Sequence, residues 1–395
     1  MHERWPQPKG DTDLSWFLSQ LDRFCIQEIR PNFRKITEEA RFPHELMSGL
    51  SDIGLLTISI PEAYGGVGWG AERAAWVGRR LAYESGGMFL NYTVGSTLSV
   101  SPIVLAGSDA LKKIILPRVA SGKNFGSFML SEENGGSDPR NMSTRAVKQS
   151  DGGWKVNGRK TWITGAGAAH FGIVLANTGA KRFSTFLIQH DEGIAKIPGI
   201  TITKIAKRVQ QCAPFYSVQF DDVILPPEAL IGIEGEGYGT MLGTLDAGRI
   251  GIAVQSIGMG DRVYDDALTY ACERRLYGKR LIDLDGVRRR FDRAERMLNH
   301  AWNVTVEAAR LRDAGAPHRL EAARAKLVAT EIAFKVADNL MRFHGAMGYV
   351  AETDYLQWKS DIDVTRVYEG SNEVMRYVIA VETERRRQAQ LAITL

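Results

Sequence analysis

The sequence predicts a multidomain α+β protein in which a β domain lies between two helical domains. In the first and last parts of the chain, apolar residues recur at three- and four-residue steps, which is the spacing of amphipathic helices. Between them, short β-rich runs alternate with Gly, Asn and Asp, as strands and turns do. The 395 residues are enough for two or three domains. We place these domains at 1–122, 123–232 and 233–395.

The first block is helical in pattern. Its leading helix has apolar residues at Leu14, Phe17, Leu18, Leu21, Cys25 and Ile29. Pro31 follows them and is expected to end that helix, because proline lacks the N–H that an interior position needs. Further helices are expected at 43–53, 72–83 and 109–119, with a glycine-rich break at 64–68.

The middle block changes to the period of strands. The expected strands are 144–148, 154–156, 161–164, 173–176, 185–188 and 217–220. Asn157-Gly158 reads as a hairpin turn. The strand after it would place Trp162 and Thr164 on one face, since side chains alternate along a strand. An aromatic plate beside a hydroxyl suits a flat heterocycle, although an ordinary core Trp fits the pattern equally well.

The third block returns to long helices. They are expected at 249–271, 286–311 and 319–343, and Ser371 is a good N-cap for a final helix. Asp246, three residues before Arg249, could be a simple cap of the first of these helices.

Composition restricts the class of protein. A hydrophobic content of 44% with 24% charged residues describes an ordinary globular chain, and a net charge of +4 gives no reason to expect nucleic acid. The most apolar region, 89–105, is interrupted by polar residues and Pro102, which argues against a membrane span. The N-terminus has no signal or transit pattern, so we expect a cytoplasmic protein.

The cysteines and histidines predict no metal or disulfide framework. Cys25, Cys212 and Cys272 are odd in number and far apart, so we expect buried free thiols. The seven histidines are scattered and give a metal site little support.

The most informative segment is Tyr368-Glu369-Gly370-Ser371-Asn372-Glu373, between two helical patterns. Gly370 lets the backbone turn tightly or approach a ligand closely, so the carboxylate before it can be aimed. On its own, such a glutamate is more often a solvated loop residue. Its position before a glycine at a helix start makes Glu369 a candidate base, and the segments that accompany it favour this interpretation over a solvated loop residue.

Two glycine clusters do not make a dinucleotide fold. Gly165-Ala166-Gly167 lacks the third glycine and the following helix, and no clear strand leads into 235–239. Three other segments carry polar residues suited to a ligand, and each also has an ordinary reading as a turn, core strand or helix cap. They are 128–138, 157–165 and 245–252.

Taken together, these segments resemble the acyl-CoA dehydrogenase family over nearly the whole chain. The resemblance implies an N-terminal α-helical domain, a middle β-barrel-like domain and a C-terminal four-helix bundle, with FAD between the last two and reaching a neighbouring subunit. It implies an oxidoreductase of fatty acid metabolism that converts an acyl-CoA to a trans-2-enoyl-CoA and passes electrons to an electron-transfer flavoprotein or a similar acceptor.

The resemblance also implies residue roles. Glu369 would be the catalytic base, and some relatives place the base where this chain has Gly248. The FAD-binding residues would be Phe128, Leu130, Ser131, Gly136, Ser137, Trp162, Ile163, Thr164, Arg274, Tyr277, Arg342, Gly345, Ala346, Ser371 and Glu373. The substrate would contact Ser137, Asp246, Arg249, Tyr368 and Gly370.

The sequence departs from the family pattern around the adenine end of the expected cofactor. The unusual residues are Leu276, Tyr277, Asp285, Arg342, Ala346 and the segment 208–213. We therefore expect a homotetramer or homodimer but keep open a hetero-oligomer in which another chain completes the site. A non-catalytic partner subunit, a flavin monooxygenase and an enoyl-CoA reductase remain alternatives.

A basic cluster begins one of the C-terminal helices. It contains Arg288, Arg289, Arg290, Arg293 and Arg296. It is either a solvated face, partly offset by neighbouring acids, or a docking surface for a phosphopantetheine carrier protein, whose acyl group would then be the substrate.

Overall fold

The computed structural model of this protein describes Trp5 and residues 10–394. Part of the N-terminal stretch used to predict the absence of a targeting signal lies outside these residues. The described chain divides into two compact units. Unit 1 contains the residues up to Arg34, Ala71–Phe89 and the chain from Asp246 onward; unit 2 contains Lys35–Gly70 and Leu90–Leu245. The predicted order of helices, strands and helices is confirmed, while the domain boundaries stay a prediction.

The N-terminal part of the chain is helical. Its α-helices are α1 Thr12–Phe24, α2 Arg30–Glu39, α3 His44–Asp52, α4 Ala71–Glu84, α5 Gly86–Thr93, α6 Ser101–Ala106 and α7 Asp109–Ala120. Pro31 does not end the first helix, so that prediction was wrong. A π-helical turn, Cys25–Ile29, joins α1 to α2. Pro31 then falls in the first turn of α2, where a missing N–H is tolerated.

One apolar stretch meets the length and composition of a membrane span. Among the described residues it is Gly86–Ala106, and 78% of its apolar window is buried inside the protein. It contains residues 89–105, in which polar residues and Pro102 argued against a membrane span. Buried core helices pass the same test of length and composition.

Unit 2 is built on a single sheet. Its strands are β1 Gly126–Met129, β2 Arg145–Lys148, β3 Trp154–Thr164, β4 Phe171–Gly179, β5 Arg182–Gln189, β6 Ile200–Ile205, β7 Phe215–Leu225 and β8 Leu230–Ile231. The strand order is β6-β7-β3-β2-β4-β5-β8, and β1 pairs in parallel with β4. Large apolar side chains, including Trp154, Phe186 and Phe220, form the core of this unit.

Asn157-Gly158 is not a hairpin turn. Both residues lie inside β3, where the register with β7 shifts between Val156 and Gly158. Gly158 has φ of 138°, and a Cβ added there would lie 2.5 Å from the Cα of Thr144. The glycine therefore serves a bulge and a close approach of two strands, which the dipeptide alone does not distinguish from a turn.

The C-terminal part of the chain is a helical bundle. Its helices are α8 Gly237–Glu273, α9 Asp285–Asp313, α10 Arg319–Met341, α11 Tyr355–Asp363 and α12 Asn372–Thr394, and a short hairpin pairs β9 Arg275–Leu276 with β10 Lys279–Arg280. Val263, Phe291 and Val336 share one buried cluster, which joins α8, α9 and α10. Met375 of α12 packs with Ala323 of α10 in another.

Two predictions for this part need correction. Helix α8 begins at Gly237, so Asp246 lies inside the helix and does not cap it. Glycines in the first turns of α8 weaken the apolar periodicity on which the prediction rested. Cys272 is exposed, unlike Cys25 and Cys212, because it lies in the last turn of the helix beside charged residues.

Candidate active site

Glu369 lies in a sharply turned segment of unit 1, between the 3-10 turn Val364–Arg366 and the start of α12. Its φ is 52° and that of Gly370 is 88°. Positive φ costs a non-glycine residue of order 1–3 kcal/mol, so it persists only where the surroundings impose it. Several hydrogen bonds do so here, and they fix the direction in which the carboxyl group points.

The carboxyl group of Glu369 is an unusual acid. Its Oε2 is completely buried and accepts no hydrogen bond from any residue that the structure describes. Burial raises the pKa of Glu369 from 4.5 to about 7, although the charges of Lys326 and Arg249 act in the opposite direction. A buried oxygen without a partner, on a carboxyl group poised near neutral pH, suits proton exchange with a bound ligand.

Lys326 of α10 holds the turn from one side. Its side chain is fully buried, and its Nζ donates to the carbonyl oxygen of Gly370 and to Oδ1 of Asn372, each at 2.9 Å. Sequence reasoning missed this lysine. The available signal was its position four residues after Ala322 and three before Ala329, on the apolar face of α10.

Helix α8 holds the same segment from another side. The Tyr368 hydroxyl donates to Oε1 of Gln255 at 2.8 Å, and Oγ of Ser256 donates to Oγ1 of Thr365 at 3.0 Å. Gln255 in turn donates to the carbonyl oxygen of Gly86 at 2.8 Å. Neither Gln255 nor Ser256 was predicted, because a polar residue in a buried helix gives no indication of its partner.

Arg249 and Asp246 form an ion pair one turn apart on α8. Arg249 is only 4% exposed, and its Nε has no hydrogen-bond partner among the described residues. Burial lowers the pKa of Arg249 and raises that of Asp246, and the attraction between them opposes both changes. The field of Glu369 also reaches Arg249. The structure thus brings together Glu369, Arg249 and Asp246, three of the predicted site residues.

The rest of the segment begins α12. Oγ of Ser371 accepts a hydrogen bond from the backbone N–H of Val374 at 3.4 Å, so the predicted N-cap is confirmed. Glu373, assigned to the cofactor by resemblance, is exposed in the first turn of this helix.

In unit 2, a buried ion pair fixes the segment that follows β1. Nζ of Lys160 donates to Leu130 O and to Oε1 of Glu132, both at 3.0 Å. Glu132 also accepts hydrogen bonds from Ser143 and Thr144. Burial would raise the pKa of Glu132, but Lys160 and these bonds outweigh it and lower the pKa to about 2. Neither Lys160 nor Glu132 was predicted to contribute.

The predicted flavin-contacting residues of unit 2 surround this segment. The N–H of Thr161 donates to Ser131 O at 2.9 Å, which places Ser131 beside β3 just before Trp162. Trp162 is 51% exposed with φ of 66°, Ile163 is buried, and Thr164 is half-buried. An open aromatic ring near partly exposed hydroxyls fits a flat heterocycle such as a flavin.

The other predicted residues of unit 2 vary in exposure. Leu130 is buried and Phe128 half-buried, while Gly136 and Ser137 lie exposed on the following turn.

The predicted adenine-end residues are all on the surface of unit 1. They are Arg274, Tyr277, Arg342, Gly345 and Ala346. Tyr277 is 88% exposed at the tip of the hairpin between β9 and β10, and Arg342 pairs with Asp338 at 2.7 Å. Within the described ranges, no hydrogen bond or ion pair links them to the Glu369 turn.

Comparison with known proteins covers almost the whole chain. Family models for the acyl-CoA dehydrogenase N-terminal, middle and C-terminal domains match residues 13–123, 127–223 and 235–383. The chain is 32% identical over 362 residues to the short-chain specific acyl-CoA dehydrogenase of human mitochondria, an alignment that covers 90% of this chain and 86% of that protein.

Two solved structures share the fold over nearly their full length. Butyryl-CoA dehydrogenase from Megasphaera elsdenii has a TM-score of 0.91 and 29% identity, covering 94% of this chain and 98% of that one. A glutaryl-CoA dehydrogenase from Mycobacterium smegmatis in complex with FADH2 has a TM-score of 0.88 and 25% identity, covering 94% of each chain. The matches confirm the fold and the cofactor that the sequence predicted, and this chain belongs to the acyl-CoA dehydrogenase family of FAD-dependent enzymes.

Proposed function

We propose that this enzyme oxidises a short-chain acyl-CoA to a trans-2-enoyl-CoA, with Glu369 removing the α-proton. One observation carries the proposal, namely the buried, unpartnered Oε2 of Glu369 on a carboxyl group whose pKa is about 7. A surface glutamate would be solvated, ionised and a weak base. A base poised near the working pH removes a proton from a weak carbon acid more effectively.

The family relationship indicates which group would accept the second hydrogen removed from the substrate. When bound, FAD would supply the acceptor for the β-hydrogen of the substrate, which leaves as hydride. The residues of the chain have different tasks. Glu369 takes the proton, Lys326 and Gln255 hold the turn that carries it, and the open face of Trp162 with the hydroxyls of Ser131 and Thr164 would hold the flavin ring.

The proposed substrate class follows from two relatives whose names specify short acyl chains, the human short-chain enzyme and butyryl-CoA dehydrogenase. The proposal therefore includes a preference for C4 over long acyl chains.

The test is an anaerobic panel of acyl-CoA thioesters, from short to long and including branched chains, mixed with the FAD-loaded enzyme. We expect rapid loss of flavin absorbance with butyryl-CoA and much slower loss with long chains. Reduction by none of them would overturn the proposed reaction. In the reverse experiment, re-oxidation of the reduced enzyme by crotonyl-CoA measures how readily the same site works as an enoyl-CoA reductase.

We also propose an electron-transfer flavoprotein as the electron acceptor and a homo-oligomer as the working form. Both proposals come from the family resemblance. Steady-state turnover with and without that acceptor tests the first, and sedimentation of the purified enzyme alone tests the second.

A further inference from the structure

We propose that Lys326 is a positioning residue for the base. Its buried ammonium holds the Glu369-Gly370 turn in place and supplies the positive charge that keeps Glu369 in its ionised, proton-accepting form. The inference rests on the proposed role of Glu369 and adds the residue that controls it.

Lys326 connects two parts of the turn through hydrogen bonds. Two of its three N–H groups are used on Gly370 O and Asn372 Oδ1, each at 2.9 Å. The first acceptor belongs to the residue directly after the base, and the second opens α12. A lysine whose side chain is fully buried is uncommon unless the charge is paired. Here both hydrogen-bond acceptors are neutral.

Asn372 extends these hydrogen bonds into a network. Its Nδ2 donates to Oγ1 of Thr330 at 3.0 Å and to Oε1 of Glu331 at 2.7 Å. Arg366 donates to the same oxygen of Glu331 at 3.1 Å. Lys326 and Thr330 lie one turn apart on α10, so this helix contacts both the turn and the start of α12.

Two cations act on Glu369, and only one of them is offset by a carboxylate partner of its own. Arg249 and Lys326 are the two cations whose fields act on Glu369. Arg249 is paired with Asp246, which offsets its charge. Lys326 makes no ion pair within 4 Å in the part of the chain that the structure describes. It is therefore the larger net positive charge that faces the base.

The other charged groups around Lys326 do not change this conclusion. Burial lowers the pKa of Lys326 to about 7, so the ammonium carries its charge at and below neutral pH. Glu369, Glu373 and Glu331 act to raise that pKa, and Arg249 acts to lower it further. Glu373 is exposed, and Glu331 is engaged by Arg366 and Asn372. The carboxylate left to balance the lysine is that of Glu369.

The test is the pH dependence of flavin reduction by butyryl-CoA in three FAD-loaded variants. Lys326→Met removes the charge while keeping the length of the side chain, and Lys326→Arg restores a charge. Thr330→Val is the matched control, because it removes the hydrogen-bond contacts of the Thr330 hydroxyl with Asn372 and removes no charge. A merely structural role would lower the rate and the melting temperature without moving the pH profile.

Removing an opposite charge close to a carboxylate raises its pKa by about 1 to 3 pH units. We therefore expect the acid limb of the pH–rate profile of Lys326→Met to move to higher pH by at least about one unit. The rate should fall about fivefold or more at pH 7 and partly recover at pH 9. Lys326→Arg should return the limb towards its wild-type position, and Thr330→Val should leave it in place.

An unmoved acid limb in Lys326→Met, with a uniform loss of rate, would overturn the inference. If that variant fails to fold, Lys326→Gln, which is also neutral but more polar, takes its place in the same pH series. An unmoved acid limb then has the same meaning. Different results would exclude Glu369 as the base and Lys326 as its positioning residue. Retained reduction in Glu369→Gln removes the proposed base, whereas loss of reduction there with an unmoved limb in the lysine variants removes only the role of Lys326.

Discussion

The exchange Glu369→Gln separates the proposed catalytic role of this side chain from its effect on stability. Glutamine has nearly the same shape but cannot accept the α-proton. A general base contributes about 10²- to 10⁴-fold to a rate, or about 3–5 kcal/mol of barrier. Within the described residues, no other buried carboxylate lies on this turn. We therefore expect flavin reduction to slow by about a hundredfold to ten-thousandfold.

The same exchange should stabilise the fold in neutral and basic solution. The pKa of Glu369 is raised from 4.5 to about 7. An acid whose pKa is raised by folding loses stability as the pH rises from the unfolded value through the folded one. At pH 8 the folded state thus carries a penalty of at most about 3 kcal/mol, which Gln removes. This value already includes the attraction of Glu369 to Lys326 and Arg249.

Stopped-flow reduction by butyryl-CoA at pH 8 measures the rate, and urea unfolding at pH 8 and pH 4 measures the stability. Glu384→Gln, the same exchange at an exposed site on α12, is the control and should leave both within error. We expect a less active but more stable variant whose gain in stability disappears at pH 4. Reduction within tenfold of the wild-type rate would refute the assignment of the base.

Three further predictions follow from other contacts. The reduction rate of the wild-type enzyme should rise with pH through about 7 and then level off, because Glu369 must be ionised to accept a proton; a stopped-flow pH series showing no limb near 7 would contradict this. Gly370→Ala should cost more than about 1 kcal/mol in thermal unfolding and slow reduction, since its φ is 88° and a Cβ would lie 2.7 Å from Cε of Met375. Glu132→Gln should lower the free energy of unfolding by about 3–5 kcal/mol in a denaturant titration, because it leaves the fully buried Lys160 without its counter-charge.

Much of the fold could be predicted because its signals are local. The three family-model matches follow the predicted order of helices, strands and helices. Ser371 was identified as an N-cap from its own side chain, and it does accept the expected hydrogen bond. Glu369 was singled out by the glycine after it, and both residues have the positive φ that such a turn needs.

The errors arose where one local pattern has two structural meanings. A proline ends a helix unless it falls in a first turn, and the π-helical turn at Cys25–Ile29 places Pro31 there. Asn-Gly makes a hairpin unless the glycine serves a bulge, as Gly158 does. In both cases the choice depends on backbone hydrogen bonds that the dipeptide does not specify.

By itself, the sequence determined the succession of helices and strands, and it placed an acid before a glycine where two helices meet. Only the tertiary structure decided the pKa of this acid, because burial, Lys326 and Arg249 set it. Those cations lie 43 and 120 positions away along the chain. Electrostatic energy depends on distance and solvation in space, and a linear sequence records neither.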